Sequence, residues 1–232
     1  MFLPMLIHFL RLVTNFGDLD LLLPLSVVVA FTLWRSESRA AAAAFVGALV
    51  LCLATLAVLK LTLLSCGATW RLLVRSPSGH VGGSTIVYGT IALVLATHTP
   101  RVLRPLWLGG WVALVALVAT SRVVLHMHSE AEVVIGLAIG LAAFSIFAWR
   151  YVGRPHPRVN PLALGFALSL TSVVAYGSQS SAELWLKDWV ALLRLHTGIC
   201  WRDAETTRFA APLPPLAGNP ARGDAASESG TP

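Results

Sequence analysis

The sequence predicts an all-α integral-membrane protein, a bundle of six transmembrane helices. Three observations carry this. Apolar residues make up 56% of the 232 and charged residues only 12%, against roughly 45–50% and about 25% in a soluble domain. Such a chain has too few charges to furnish a solvated surface, and its mean hydropathy is +0.74. Apolar stretches of about 20 residues, the length that carries a helix across the hydrocarbon core, recur six times. They are apolar all round, without the alternation of a half-buried strand, and a backbone in lipid must satisfy its hydrogen bonds internally.

In order along the chain, residues 1–18 open Met-Phe-Leu-Pro-Met-Leu. They have neither the basic start nor the small-residue cleavage site of a secretory signal, and are expected as an apolar, interfacial segment. The six spans are expected at 19–35, 39–64, 80–97, 103–123, 129–150 and 160–177, within a membrane domain covering 19–177. Polar breaks separate them. Arg35-Ser36-Glu37-Ser38-Arg39 is a short turn, and Thr99-Pro100-Arg101 interrupts the pattern. Pro105 suits a first helical turn, and Arg154-Pro155-His156-Pro157-Arg158 cannot continue a helix. Trp34, Trp107 and Trp149 fall near span ends, as interfacial aromatics do. Residues 178–210 form a different region. Within it Leu184, Trp185, Trp189, Leu192 and Leu193 share one side of a helix at 182–197 with Lys187, Asp188 and Arg194 interspersed, a pattern for the membrane surface. The Pro-, Ala-, Gly- and Ser-rich stretch 211–232 is expected to be disordered.

The formal net charge is +6, from 17 Lys and Arg against 11 Asp and Glu, and fifteen of the 17 are Arg, a bias of GC-rich bacterial sequences. No basic block of the kind a nucleic-acid footprint needs is present. The basic residues stand in small groups between apolar runs. Six spans put Arg35, Arg39, Arg101, Arg104, Arg150, Arg154 and Arg158 on one side, which the positive-inside rule makes cytoplasmic. Lys60, Arg71, Arg75 and Arg122 then face outward, towards the periplasm of a bacterial inner membrane. Cys52, Cys66 and Cys200 show no zinc or redox spacing. Cys52 is expected as a packing residue. Cys66 and Cys200 are expected on the outer side, where two thiols can pair.

The outward side also gathers the unusual polar residues. Arg75-Ser76-Pro77-Ser78-Gly79-His80 precedes the third span, and Ser121 to Glu132 joins the fourth to the fifth. Ionisable groups in membrane helices are costly and default to a functional reading. Lys60, Arg71, Arg75 and Arg122 form a cationic cluster, and arginine suits bidentate contact with phosphate. Pro77-Ser78-Gly79 can start a helix whose free N–H groups favour an anion, and Gly79 permits close backbone approach. His128 and Glu132 are four apart and share one face of a helix. A carboxylate there can hold one imidazole nitrogen while the other attacks. His80 is available as an acid for a leaving group. The chemistry expected of such an assembly is phosphoryl transfer through a histidine nucleophile, with no metal and no cofactor. His126 and Glu130 are expected outside the chemistry, Ser84 in helix packing, and His8, His98 and His156 at interfaces.

These motifs resemble the type 2 phosphatidic acid phosphatase (PAP2) superfamily, whose pattern is Lys-x6-Arg-Pro, then Pro-Ser-Gly-His, then Ser-Arg-x5-His-x3-Asp. Pro77-Ser78-Gly79-His80 matches the second element in full. Ser121-Arg122, His128 and Glu132 match the third in spacing, with Glu in place of Asp. The first departs, because Gly67-Ala68 stand where Arg-Pro would follow Lys60, so Arg71 or Arg75 must substitute. The resemblance covers roughly residues 15–150 and implies a six-helix PAP2-type bundle. It also implies a nucleophile at His128, an orienting carboxylate at Glu132, a leaving-group acid at His80, and phosphate binding by Arg122, Ser78 and Gly79. The implied partners are a lipid phosphate substrate and membrane lipids, with no nucleic acid and no obligate protein partner. A non-catalytic membrane protein that keeps this scaffold is the alternative. A transporter is disfavoured by the lack of inverted repeats, and a soluble haloperoxidase by the spans.

Overall fold

Local signals in the chain punctuate a succession of α-helices, and no strand occurs among the described residues, which in this computed structural model are 2–36, 38–66, 74, 76–152 and 160–176. The helices are α1 (Phe2–Thr14), α2 (Leu19–Ser36), α3 (Arg39–Cys66), α4 (Gly79–His98), α5 (Arg104–Val124), α6 (Glu130–Tyr151) and α7 (Pro161–Ala175). Their starts have recognisable causes. The Ser38 hydroxyl accepts the Ala41 N–H ahead of α3 (3.0 Å), a serine N-cap. Pro105 occupies the first turn of α5, where its missing N–H costs nothing. The Asn160 side chain accepts the Leu162 N–H at the start of α7 (3.0 Å).

The expected helices at 19–35, 39–64, 80–97, 103–123 and 129–150 correspond to α2 through α6. Among the described residues four helices, α3 to α6, are long and apolar enough to cross a membrane, or five spans if α1 and α2 are taken together as one span bent by 44°. The sixth expected span, 160–177, is the 15-residue α7. The segment 1–18, expected to lie at the interface, is a helix joined to α2 through a 3-10 turn at Asn15–Gly17.

α4 is the central element. Of its span 72% is buried, against 11% for the α5 span. Glycine allows this density. A Cβ on Gly140 would lie 2.6 Å from the Gly82 carbonyl, and one on Gly82 would lie 3.0 Å from the Gly136 carbonyl. Small residues are how membrane helices approach closely. The main core joins Leu21, Leu25 and Leu33 of α2, Phe45 of α3, Ile86 and Val87 of α4, and Phe147 and Tyr151 of α6. A smaller cluster of Val13, Val81, Val115, Val118 and Val133 lies beside the polar end of the bundle. Trp34 and Trp149 are exposed near the last turns of α2 and α6, whereas Trp107 packs against the core.

Candidate active site

The end of α5 and the start of α6 build one half of the site. The α5 helix stops in a tight turn, in which the Arg122 carbonyl accepts both the Met127 N–H (3.0 Å) and the His128 N–H (3.2 Å). His126 takes the left-handed conformation that closes this turn, at φ 54°, and is exposed. Ser129 then caps α6 in a capping box with Glu132. Ser-x-x-Glu is a signature of such a box, readable in the sequence without the fold.

Glu132 does more than cap. It is buried. Its Oε2 accepts from His128 Nδ1 (2.9 Å) and from the Ser129 N–H (3.1 Å), and its Oε1 accepts the Ser76 N–H (2.9 Å). With Nδ1 on the carboxylate, Nε2 is the imidazole nitrogen left for chemistry.

The second half is the segment before α4. The Ser78 N–H donates to the Glu132 carbonyl (3.0 Å), so Glu132 holds this loop by both main chain and side chain. Ser78 is the N-cap of α4, yet its side chain makes no capping hydrogen bond. Its hydroxyl is fully buried without a partner among the described residues. A Cβ on Gly79 would meet no described heavy atom within 4 Å, so the first turn of α4 borders open space. Helix N–H groups, an idle hydroxyl and room beside them suit an oxyanion.

Arg122 is buried, with Nη1 3.3 Å from Thr14 Oγ1 and 3.0 Å from Met127 Sδ. Lys60, half-buried on α3, is close enough for its charge to act on His128. Burial pushes the His128 imidazole below its ordinary value of 6.5, and the charges of Arg122 and Lys60 push the same way. Together they outweigh Glu132, whose hydrogen bond and charge favour the imidazolium.

The structure therefore brings together His128, Glu132, Ser78, Arg122 and Lys60, with Gly79 and His80 continuing from Ser78 into α4. Arg71 and Arg75 lie outside the described residues. So do Cys200, His156, the helix expected at 182–197 and the stretch 211–232. The Cys66 side chain is also outside them, and Cys52 is a buried free thiol. Glu130 is exposed, Ser84 is buried within α4, and His98 ends α4 at the opposite pole.

Three site residues escaped the sequence reading: Ser76, Thr14 and Asp18. Asp18 Oδ1 accepts a hydrogen bond from His80 Nε2 at 2.6 Å. An Asp just ahead of an apolar run reads as a helix N-cap, and no spacing rule links positions 62 apart. Among the described residues, no three His, Cys, Asp or Glu side chains are grouped so as to hold a metal ion.

Gly136 makes the junction of the two halves possible. A Cβ there would lie 2.4 Å from the Ser78 carbonyl, so Gly136→Ala must push the loop away from α6. We expect a stability loss of about 1–3 kcal/mol with a concurrent fall in activity, read by thermal unfolding and turnover of the purified variant. Wild-type values in both would show that the loop tolerates displacement.

No curated protein and no solved structure matches the chain. Residues 62–157 match the family model of the PAP2 superfamily, a stretch running from the end of α3 through α6 that holds both halves of the site. Over that stretch, which is less than half of the chain, the sequence is similar to the PAP2 superfamily.

Proposed function

We propose that the chain is an integral-membrane lipid phosphatase. It hydrolyses a phosphomonoester or diphosphate of a lipid, of the phosphatidic acid, phosphatidylglycerol phosphate or undecaprenyl diphosphate class, through a phosphohistidine intermediate. One observation carries the reading: Glu132 joins two motifs more than fifty residues apart, holding His128 through one oxygen and the Ser76–Ser78 loop through the other and its carbonyl. The nucleophile is thereby fixed beside a helix start suited to phosphate.

In this mechanism the Nε2 lone pair of neutral His128 attacks phosphorus while Nδ1–H stays on Glu132. Arg122, Lys60, Ser78 and the first N–H groups of α4 hold the phosphoryl oxygens, with Arg71 and Arg75 as further phosphate ligands. His80 protonates the departing lipid oxygen, and water then releases phosphate from the histidine. The membrane helices favour a lipid substrate, whose tails stay in the bilayer while its headgroup enters the site. Arg35, Arg39, Arg101, Arg104 and Arg150 stand at helix ends remote from the site, which supports a cytoplasmic location for those ends. The site then faces the periplasm of a bacterial inner membrane.

The test is phosphate release by detergent-purified protein from a panel of these lipid phosphates in the presence of EDTA. Release from at least one is expected. Silence across the panel from folded protein would favour the non-catalytic scaffold. Activity lost in EDTA and restored by magnesium would count against the histidine mechanism.

The displaced titration of His128 gives a pH prediction. The nucleophile must be neutral, and its value lies below 6.5, so the acid limb of kcat/KM should fall below that pH. Removing a nearby cation makes the imidazolium less unfavourable. Lys60→Ala should therefore move the limb to higher pH as well as weaken substrate binding. An unmoved limb in Lys60→Ala would detach Lys60 from the nucleophile.

A further inference from the structure

The N-terminal turn at 14–18 is tied to the bundle at three points remote in sequence. Arg122 Nη1 approaches Thr14 Oγ1 (3.3 Å), the Tyr88 hydroxyl donates to the Phe16 carbonyl (2.8 Å), and His80 Nε2 donates to Asp18 Oδ1 (2.6 Å). A Cβ on Gly17 would stand 2.8 Å from His80 Cβ and 3.1 Å from Cδ2, so this turn lies directly against the histidine. Asp18 is not merely a helix cap. The Leu21 and Leu22 N–H groups donate to its main-chain carbonyl (3.1 and 2.9 Å), and its carboxylate is turned to His80. Both side chains are partly accessible, 19% for His80 and 26% for Asp18, as groups at the mouth of a site are.

We infer that Asp18 is the positioning residue of the leaving-group acid, holding His80 by Nε2 so that Nδ1 delivers and recovers the proton. The inference rests on the phosphatase reading above and deepens it. The site then holds two histidine–carboxylate pairs with opposite ring assignments: Nδ1 of His128 is on Glu132, and Nε2 of His80 is on Asp18. A carboxylate in this position orients the ring and supports its charged form during proton transfer.

The steps balance. As the bond from His128 Nε2 to phosphorus forms, the phosphorus–oxygen bond to the lipid breaks. Its electron pair stays on the lipid oxygen, which takes the Nδ1 proton of His80, while the Nε2 proton stays on Asp18's side of the ring. In the second half, water gives a proton to the neutral Nδ1 as its oxygen bonds to phosphorus. The nitrogen–phosphorus bond breaks and its electron pair returns to His128. Asp18 lies outside the stretch 62–157 that matches the family model, so the turn between α1 and α2 contributes to the chemistry from beyond it.

The experiment compares two leaving groups in the full-length protein. Phosphatidic acid releases a lipid alkoxide that needs a proton, and p-nitrophenyl phosphate releases a phenolate that does not. For Asp18→Asn, kcat on phosphatidic acid should fall on the order of 10²-fold, the scale of lost acid–base assistance, with KM little changed. On p-nitrophenyl phosphate the first-turnover burst of p-nitrophenolate, which needs no proton, should slow by less than about threefold, while steady-state turnover falls with the water step that both substrates share. Asp18→Glu, which keeps the charge, should recover part of the loss, and His80→Ala should show the same leaving-group split in the first turnover. Equal first-turnover losses on both substrates, or none on either, would overturn the role of Asp18 alone. A folded wild-type protein silent on every phosphate ester would overturn the phosphatase reading and this inference with it.

Discussion

In His128→Ala, phosphate release from a lipid phosphate should fall on the order of 10⁴–10⁶-fold, the scale of losing a covalent nucleophile. The fold should survive. The turn that carries residue 128 is held by its main-chain N–H on the Arg122 carbonyl (3.2 Å), which alanine retains. Glu132 keeps two N–H donors, from Ser76 and Ser129, so its charge is not stranded. Added imidazole, small enough to occupy the vacated space, should restore part of the activity. The phosphoenzyme trapped by rapid acid-free quenching of wild type should be missing from the variant. Substantial turnover in His128→Ala, or a phosphoryl group recovered on another residue, would remove His128 from the centre of the mechanism.

Glu132→Gln should be nearly as damaging, for two separable reasons. The first is catalytic. Positive charge develops on His128 as it attacks, and a buried amide cannot stabilise it as a carboxylate does. Losses on the order of 10²–10⁴ in kcat accompany such a change. The second is structural. Three N–H groups converge on the two carboxylate oxygens, and the amide NH₂ of glutamine must face at least one of them. An unsatisfied buried donor costs about 1–3 kcal/mol, so thermal stability should fall as well. Glu132→Asp separates the effects. It keeps the charge but shortens the reach by one methylene, and the reach is what lets Glu132 close the capping box and hold Ser76. It should retain more turnover than Gln while still losing stability. If Gln and wild type turned over alike, Glu132 would be a cap and nothing more.

The requirement for reach gives a physical account of the Glu at this position, where the family pattern has Asp. Spacing alone aligns His128 with residue 132 and cannot say which carboxylate fits. The answer depends on a loop that arrives from more than fifty residues upstream, and on Gly136, whose bare Cα lets that loop lie against α6.

What the chain's sequence determined by itself is whatever local geometry enforces. Runs of apolar residues near 20 long become helices because lipid leaves the backbone no other partner, and α2 to α6 lie close to the stretches expected. The i, i+4 spacing of His128 and Glu132 puts both on one helical face, and a 2.9 Å hydrogen bond joins them. Ser78 stands at the N-cap of α4, a position that serine favours. Tertiary structure alone decided the contacts that no period encodes. Asp18 and His80 are 62 positions apart, and Thr14 and Arg122 are 108 apart. Residues 1–18 read as an interfacial segment because their pattern is apolar with a few polar interruptions. Two of those interruptions, Thr14 and Asp18, meet distant partners, which offsets the cost of placing a polar side chain at the edge of an apolar core.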